Sequence, residues 1–151
     1  MSLPPHLADQ LKAATTEVAD AMLAIALTRP SMLVRGARSE VELGDAFLHE
    51  LVARYVAEVE AGVAVCCVHI ATVQMQPTFA NAWDHPFISM CAECMSVRGP
   101  LPPELDDVCD VCGAHCETNK CFTSQLQIGP LLILLGRCQS CLPANHPYKE
   151  T

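Results

Sequence analysis

Eight of the ten cysteines in this 151-residue chain stand in four close pairs within 51 consecutive residues. Three of the pairs have the spacing Cys-x-x-Cys, in which two thiolates on one side of a tight turn can bind the same tetrahedral ion. Four such pairs can supply two ions with four ligands each, which leaves no ligand position open. The eight candidate metal ligands are Cys91, Cys94, Cys109, Cys112, Cys116, Cys121, Cys138 and Cys141.

We interpret these cysteines as metal ligands rather than disulfides, because residues 1–5 lack the charged start and apolar run of a secretory signal. Thiols stay reduced in the cytosol, where closely paired cysteines are typical of metal sites. The sequence therefore predicts two structural Zn²⁺ ions in a cytoplasmic protein, or in a nuclear one if the source is eukaryotic. An iron–sulfur cluster is the alternative, since Cys-x-x-Cys also binds iron.

The four pairs can combine into two sites in three ways, and their spacing leaves all three open. A sequential arrangement joins the first pair to the second and the third to the fourth. An interleaved arrangement joins the first to the third and the second to the fourth. A nested arrangement joins the two outer pairs, which would place a strand ending at Cys91 beside a strand ending at Cys138, as in a zinc ribbon.

The order and gaps of the pairs resemble those of the cross-braced zinc fingers, the RING, PHD and FYVE families. The stretch 109–116, followed by Cys121, a predicted hairpin and the last pair, is similar to the second half of a FYVE finger. That family binds phosphoinositides through a basic run before the second pair. Residues 104–108 are acidic here, so lipid binding by that route is not expected. The RING resemblance implies a histidine ligand, for which His115 could replace Cys116, and a role as a ubiquitin-transfer adaptor.

Apolar residues at helical spacing predict two helices in the first third of the chain. The first apolar stripe starts at Leu7, and its helix is expected to end before Pro30. The second helix is predicted to start at the capping box formed by Ser39 and Glu42 and to end at Gly62. The outer faces of the two helices are candidate surfaces for a homo-oligomer or for another partner.

Residues 63–70 are apolar and largely β-branched, a composition that predicts a buried strand. Cys66 and Cys67 are accordingly interpreted as small buried apolar residues. His69 lies on the same predicted strand and is interpreted as a core or surface histidine. None of these three residues is a predicted metal ligand.

The C-terminal cysteine-rich segment is predicted to contain a β-hairpin, in which Gly129 and Pro130 join strands at 124–128 and 131–137. Residues 76–86 hold two prolines and are predicted to form an ordered loop. A short strand at 87–90 is then expected to lead into the first cysteine pair.

These elements predict an α+β fold, in which an N-terminal helical pair with a strand is joined to a cysteine-rich two-zinc module. The predicted organisation is a helical and strand region at 1–84, the zinc module at 85–143, and a frayed tail at 144–151. Zinc would replace the hydrophobic core that a proline-rich segment of about 50 residues does not build by itself.

The chain has a net charge of −8 and only nine Lys and Arg residues. Nucleic acids are bound mainly through Lys and Arg contacts to phosphates, so this composition disfavours a nucleic-acid partner. The longest apolar stretches are far shorter than the ~20 residues that span a bilayer, so no membrane association is expected. We expect instead a protein partner with a basic or apolar surface.

The expected function is that of a zinc-binding interaction or regulatory protein rather than an enzyme. The combination of His-x-Glu with Pro-Cys-x-x-Cys that marks zinc deaminases does not occur, and neither does the metalloprotease motif His-Glu-x-x-His. Two alternatives stay open. One is a nucleic-acid-associated zinc-ribbon protein in a transcription or processing assembly, and the other is a RING-like ubiquitin-transfer adaptor.

Overall fold

A computed structural model describes residues 4–28, 46–70, 74–98, 104, 107–117, 121–144 and 149, leaving aside the side chains of 21–28 and 123. Within these residues, three α-helices and five strands form a mixed fold, which confirms the predicted α+β class. None of the described helices is long and apolar enough to cross a lipid bilayer.

Helix α1 spans Pro5–Thr28 and helix α2 spans Ala46–Glu60. Proline is favoured in the first turn of a helix, where its missing N–H costs nothing, and α1 starts in this way. α2 ends two residues before Gly62, whose φ of 70° gives the left-handed conformation that commonly stops a helix. The two predicted helices are therefore present, while the predicted capping box at residues 39–42 lies outside the described residues.

The central sheet contains β2 at Thr78–Asn81, β4 at Cys121–Ile128 and β5 at Leu131–Cys138. β5 lies in the middle of the sheet, parallel to β2 and antiparallel to β4. β4 and β5 form the predicted hairpin, and Cys121 lies opposite Cys138 at its open end. A short 3₁₀-helix at Gln139–Cys141 follows β5.

Successive residues of β5 pack against helices on opposite faces of the sheet. Ile133 lies on the side of α2, in a cluster with Leu48. Leu132 points the other way and packs with Val18 of α1. A strand that is buried on both faces needs a continuous apolar run rather than an alternating one, and residues 131–135 provide it.

A second, two-stranded sheet pairs β1 at Val65–Cys66 in parallel with β3 at Ile88–Ser89. Met90 extends β3 and forms a backbone bridge with Phe79 of the central sheet. This pairing brings the residues that follow β1 next to those that follow β3, although the two segments are 24 residues apart in sequence.

Two predictions about residues 63–86 are wrong. Residues 63–70 do not form a buried strand, because β1 is only two residues long and Val63, Val65 and Val68 are all more than half exposed. Residues 76–86 are not simply a loop, because β2 lies within them and is largely buried against β5. The apolar composition of residues 63–70 predicted a buried strand, but the chain leaves the sheet after the two residues of β1 and forms a turn.

Strand pairing crosses the predicted domain boundary between residues 84 and 85. β2, from the first predicted region, pairs with β5 from the second, and β1 pairs with β3 in the same way. The two predicted regions therefore share both sheets, and the division between them stays a prediction.

Leu132→Ala should strongly destabilise the fold, because the Leu132 side chain is fully buried between β5 and α1. Removing a buried leucine side chain leaves a cavity and costs about 2–5 kcal/mol of unfolding free energy. The matched control is Ile128→Ala on β4, where the side chain is 41% exposed and the cost should stay below about 1 kcal/mol. Urea unfolding of the metal-loaded protein measures both variants, and equal losses would contradict this packing.

Candidate metal centres

Two groups of four side chains bring their potential ligand atoms within 4.8 Å of one another. The first metal site consists of Cys67, His69, Cys91 and Cys94. The second metal site consists of Cys109, Cys112, Cys138 and Cys141. The first set combines three thiols with one imidazole and the second contains four thiols, and either donor set could hold a tetrahedral metal ion.

The first site lies where the parallel strands β1 and β3 end. The backbone N–H of Cys67 donates to the Ser89 carbonyl at 2.9 Å, which continues the ladder beyond β1. A turn then brings His69 towards β3, and the Gln76 side-chain amide donates to the His69 carbonyl at 2.8 Å. The N–H of Cys91 donates to the Cys67 sulfur at 3.3 Å. The parallel pairing therefore brings together ligands from two distant segments.

The other half of the first site is the start of helix α3, which spans Ala92–Arg98 and which no sequence pattern had indicated. The N–H of Cys94 donates to the Cys91 sulfur at 3.5 Å, so a thiol takes the place of an N-cap oxygen. The Nδ1 atom of His69 lies 3.1 Å from the Cys94 sulfur and 3.8 Å from the Cys91 sulfur. Bond lengths to zinc imply ligand separations of roughly 3.5–3.8 Å in a tetrahedral site, so the atoms are close to that geometry.

An ion pair anchors α3 to the loop that precedes β3. Two guanidinium nitrogens of Arg98 each lie 2.7 Å from a carboxylate oxygen of Asp84, which is only 8% exposed. The hydrogen bonds to Asp84 raise the pKa of Arg98, so the guanidinium stays charged. This bidentate contact fixes the last turn of a helix whose first turn carries Cys94.

The second site begins with a tight loop that carries Cys109 and Cys112. Gly113 follows with a φ of 71°, a conformation that is strained for residues with a side chain. Its N–H donates to the Cys109 carbonyl at 2.8 Å, and the Cys109 N–H donates to the Ala114 carbonyl at 2.9 Å. These bonds close the loop and turn both thiols to one side, as the Cys-x-x-Cys spacing predicts.

The central strand supplies the rest of the second site, because Cys138 ends β5 and Cys141 lies in the following 3₁₀-helix. Asp110 ties the cysteine loop to β5. Its carboxylate accepts the Gly136 N–H at 2.6 Å, and its own N–H donates to the Gly136 carbonyl at 2.8 Å. The Cys112 and Cys138 sulfurs lie 3.8 Å apart, close to the separation of two thiolates on one tetrahedral ion.

One thiol in each site ionises more readily than an ordinary cysteine. Burial would raise the pKa of Cys67, but hydrogen bonds from backbone N–H groups and neighbouring thiols lower it to about 7. Burial would also raise the pKa of Cys138, but hydrogen bonds from the Cys141 N–H and from neighbouring thiols lower it to about 7. Burial and neighbouring thiols instead raise the pKa of Cys94 to about 11. Each site thus offers a thiolate near neutral pH, and a bound metal ion displaces the remaining protons.

Each site provides four candidate ligands, the number that fills the coordination of a tetrahedral ion. Such donor sets suit Zn²⁺, and an all-thiolate set suits iron as well. Each site has one exposed ligand, His69 in the first and Cys112 in the second, and the second site also contains the fully buried Cys109. An ion in either site can cross-link chain segments, but it lacks the open coordination position of a catalytic zinc.

The structure brings together six of the eight predicted ligands and adds two others. The second and fourth pairs meet in the second site, as in the interleaved arrangement, but the first pair does not meet the third. It meets Cys67 and His69 instead, which are not among the predicted ligands. Cys66 is exposed and Cys67 is only partly buried, so the interpretation of both as buried residues is wrong, while His69 is exposed, one of the two positions expected for it. In the sequence Cys67 and His69 are related only by the short spacing Cys-x-His, which is too common to identify a metal site.

The third pair, Cys116 and Cys121, belongs to neither site among the described residues. Burial raises the pKa of both thiols. His115 is exposed and also lies outside both groups. The assignment of these three residues as ligands stays a prediction from spacing alone.

No protein-family model matches this chain, and no curated protein or solved structure is significantly similar to it. The resemblance to cross-braced fingers therefore rests on cysteine spacing. The meeting of the second and fourth pairs agrees with an interleaved arrangement, whereas the ligands that complete the first site do not.

After loading with zinc, Cys67→Ala should retain one metal ion per chain where the unaltered protein retains two, because the substitution removes one of the four candidate ligands of the first site. Cys66→Ala is a closely matched control, since Cys66 is the adjacent cysteine but lies outside both sites. Metal analysis after dialysis against a mild chelator measures both variants. If both kept two ions, or both lost one, Cys67 would not be a specific ligand.

Asp84→Asn should weaken zinc binding at the first site by about tenfold, since groups that orient ligand-bearing elements affect metal affinity on this scale. The variant keeps the shape of the side chain but removes the charge that holds Arg98. Glu93→Gln is the control, because it removes an exposed carboxylate from α3 itself. Competition with a chromogenic chelator measures the affinity, and equal effects of both variants would reject the anchoring role.

Proposed function

We propose that this chain is a non-catalytic zinc-binding protein whose two structural sites hold a surface for a protein partner. Zinc is the metal we assign to both sites, because it accepts three thiolates with one imidazole as well as four thiolates. The closed donor sets support a structural role for both ions. An enzyme is disfavoured, since neither site has a vacant position for a reacting group.

The observation that carries the proposal is the exposure of two valines beside the first site. Val68 is 93% exposed and Val97 is 83% exposed, the highest values among the described large apolar residues. Val68 stands between two ligands, and Val97 lies on the ligand-bearing helix α3. Segments that metal ligands hold in place thus present apolar side chains to solvent, a feature typical of interaction surfaces.

Val97 also lines a groove with a volume of about 550 Å³, and Val68 directly precedes His69, another of its lining residues. Ile88 and Met90 provide apolar walls, and the ligands His69 and Cys94 form part of its lining. We call this groove, together with Val68 and Val97, the metal-side surface. Its apolar lining next to a rigid metal site would suit a partner that inserts an apolar side chain.

The charge of the chain supports a partner with an apolar surface flanked by basic groups. The chain has a net charge of −8, and Glu93 lies exposed on the rim of the groove. Zinc with three thiolates and an imidazole adds about −1 by charge counting. The Arg98 guanidinium, which also lines this groove, is already paired with Asp84.

The nucleic-acid alternative is less well supported. Among the described residues, several basic side chains donate hydrogen bonds within the chain: Arg54, Arg98, Arg137 and Lys149. These contacts compete with the phosphate contacts on which nucleic-acid affinity mainly depends. The ubiquitin-transfer role and homo-oligomerisation through the N-terminal helices remain proposals without an observation that favours them.

The double substitution Val68→Ser with Val97→Ser should weaken partner binding by about tenfold or more, because truncating central apolar contacts has the largest effect on affinity. Both side chains point into solvent, so the zinc content should stay at two ions per chain. A partner is first captured from cells of the source organism by cross-linking, and its affinity is then measured by calorimetry with the purified protein.

Ile128→Ser is the matched control, because it removes an exposed apolar side chain from the hairpin. The control should bind like the unaltered protein, and removal of zinc should abolish binding. Equal weakening by the control, or full binding by the zinc-free protein, would contradict the proposal.

A further inference from the structure

The second metal site is built into the core of the fold. Cys138 ends the central strand β5, and Cys109 is fully buried. Asp110, which follows Cys109, hydrogen-bonds to both backbone groups of Gly136 on the same strand. An ion in the second site therefore joins the cysteine loop directly to the central sheet.

The first metal site lies instead on a segment that buries little apolar surface. Cys67 and His69 follow β1, a strand of two residues that pairs with β3 and with no other described strand. Val65 on β1 and Val68 between the two ligands are both more than half exposed. Burial of apolar surface is the main stabilising term in folding. The position of this segment therefore depends largely on its backbone hydrogen bonds to β3 and on its two metal ligands.

Helix α3, the other half of the first site, is short and lies at the surface. It has seven residues, none of which is buried, and isolated helices of fewer than about 12 residues are marginal in water. Cys94 is a ligand in its first turn, and Met95 packs against the core cluster on the α1 side of the sheet. Arg98 in its last turn is paired with Asp84. Loss of the ion would leave the contacts of Met95 and Arg98 to hold a helix that is too short to be stable alone.

The chain around β3, which lies between these two parts, is anchored to the core without the metal. Phe87 is fully buried, and its N–H donates to the Glu58 carboxylate at 2.7 Å. Met90 and Phe79 of β2 exchange two backbone hydrogen bonds of 2.8 Å. The boundary between the anchored chain and the ligands of the first site therefore falls between Met90 and Cys91.

We propose that the first site is a zinc-responsive switch, whose ion can leave and return while the central sheet and the second ion stay in place. Loss of the first ion frees residues 67–70 and α3. The inference rests on the proposed function, because Val68 and Val97 of the metal-side surface lie on these two segments. The presentation of that surface thus depends on the availability of zinc.

The groove of the metal-side surface provides a route for the ion, because the ligands His69 and Cys94 line it. Release breaks three zinc–sulfur bonds and one zinc–nitrogen bond. A competing chelator takes up the ion, and the thiolates take up protons from water. Return of zinc reverses each of these changes.

The test starts from the full chain loaded with two zinc ions and lowers the free zinc concentration in steps with zinc–EDTA buffers. Metal analysis after rapid desalting counts the bound ions. The first ion should leave at a free zinc concentration at least about tenfold above that at which the second leaves, the scale on which supporting contacts alter metal affinity. X-ray absorption of the one-ion form should show four sulfur ligands and no imidazole.

Amide NMR spectra of the one-ion form follow the fold. The signals of β5 should keep their positions, while those of residues 67–70 and 91–98 shift or broaden and return when zinc is added back. Simultaneous loss of both ions, an imidazole on the remaining ion, or loss of the β5 signals with the first ion would each overturn the inference. Partner binding by the zinc-free chain would contradict the proposed function without altering any of these readouts.

Cys67→Ala and Cys112→Ala are a matched pair of variants, since each removes one ligand thiol that is not buried, one from each site. Cys67→Ala should bind one ion and keep the β5 amide signals. Cys112→Ala should lose the second ion and unfold at a lower urea concentration than Cys67→Ala. Equal urea midpoints for the two variants would show that the sites support the core equally, and would overturn the inference.

Discussion

The packing of strand β5 is the constraint on which the rest of the structure depends. The strand is hydrogen-bonded to a neighbour on each edge and covered on both faces by buried side chains. Its apolar run at 131–135 is followed by Gly136 and then by Arg137, which is buried and donates to the Cys141 carbonyl. The same rigid strand delivers Cys138 to the second site and holds the cysteine loop through Asp110. A metal ion there would therefore extend the core rather than build a separate module.

The first site depends on contacts that are more distant in sequence. Arg54 of α2 donates to the Ala82 carbonyl and lies 4.1 Å from the ring centre of Phe87. Glu58, on the same helix, accepts the Phe87 N–H at 2.7 Å. These contacts fix the chain just before β3, and the parallel pairing of β3 with β1 then brings Cys67 next to Cys91. Helix α2 thus stabilises a metal site to which it contributes no ligand.

Local patterns in the sequence predicted the elements that depend on local interactions. The helical stripes, the turn at Gly129 and the Cys-x-x-Cys spacing correctly indicated two helices, the hairpin and the loop of the second site. Spacing could not reveal the first site, because a long-range parallel pairing brings its ligands together. Apolar composition also misled at residues 63–70, since it does not distinguish a buried valine from Val68, which is exposed beside a ligand. Cys116 and Cys121 have the spacing of a ligand pair but lie outside both groups of four, so their assignment as ligands stays a prediction.

The central claim is that two zinc ions bind separately, one to three cysteine sulfurs and the His69 nitrogen and the other to four cysteine sulfurs. X-ray absorption spectroscopy at the zinc edge, on the chain loaded with two ions, measures the average numbers of sulfur and nitrogen ligands. The account predicts seven sulfur ligands and one imidazole nitrogen across both ions, and the loss of the imidazole signal in His69→Cys. Eight sulfurs without imidazole in the unaltered chain would instead match ligation by the four cysteine pairs, and would contradict the first site.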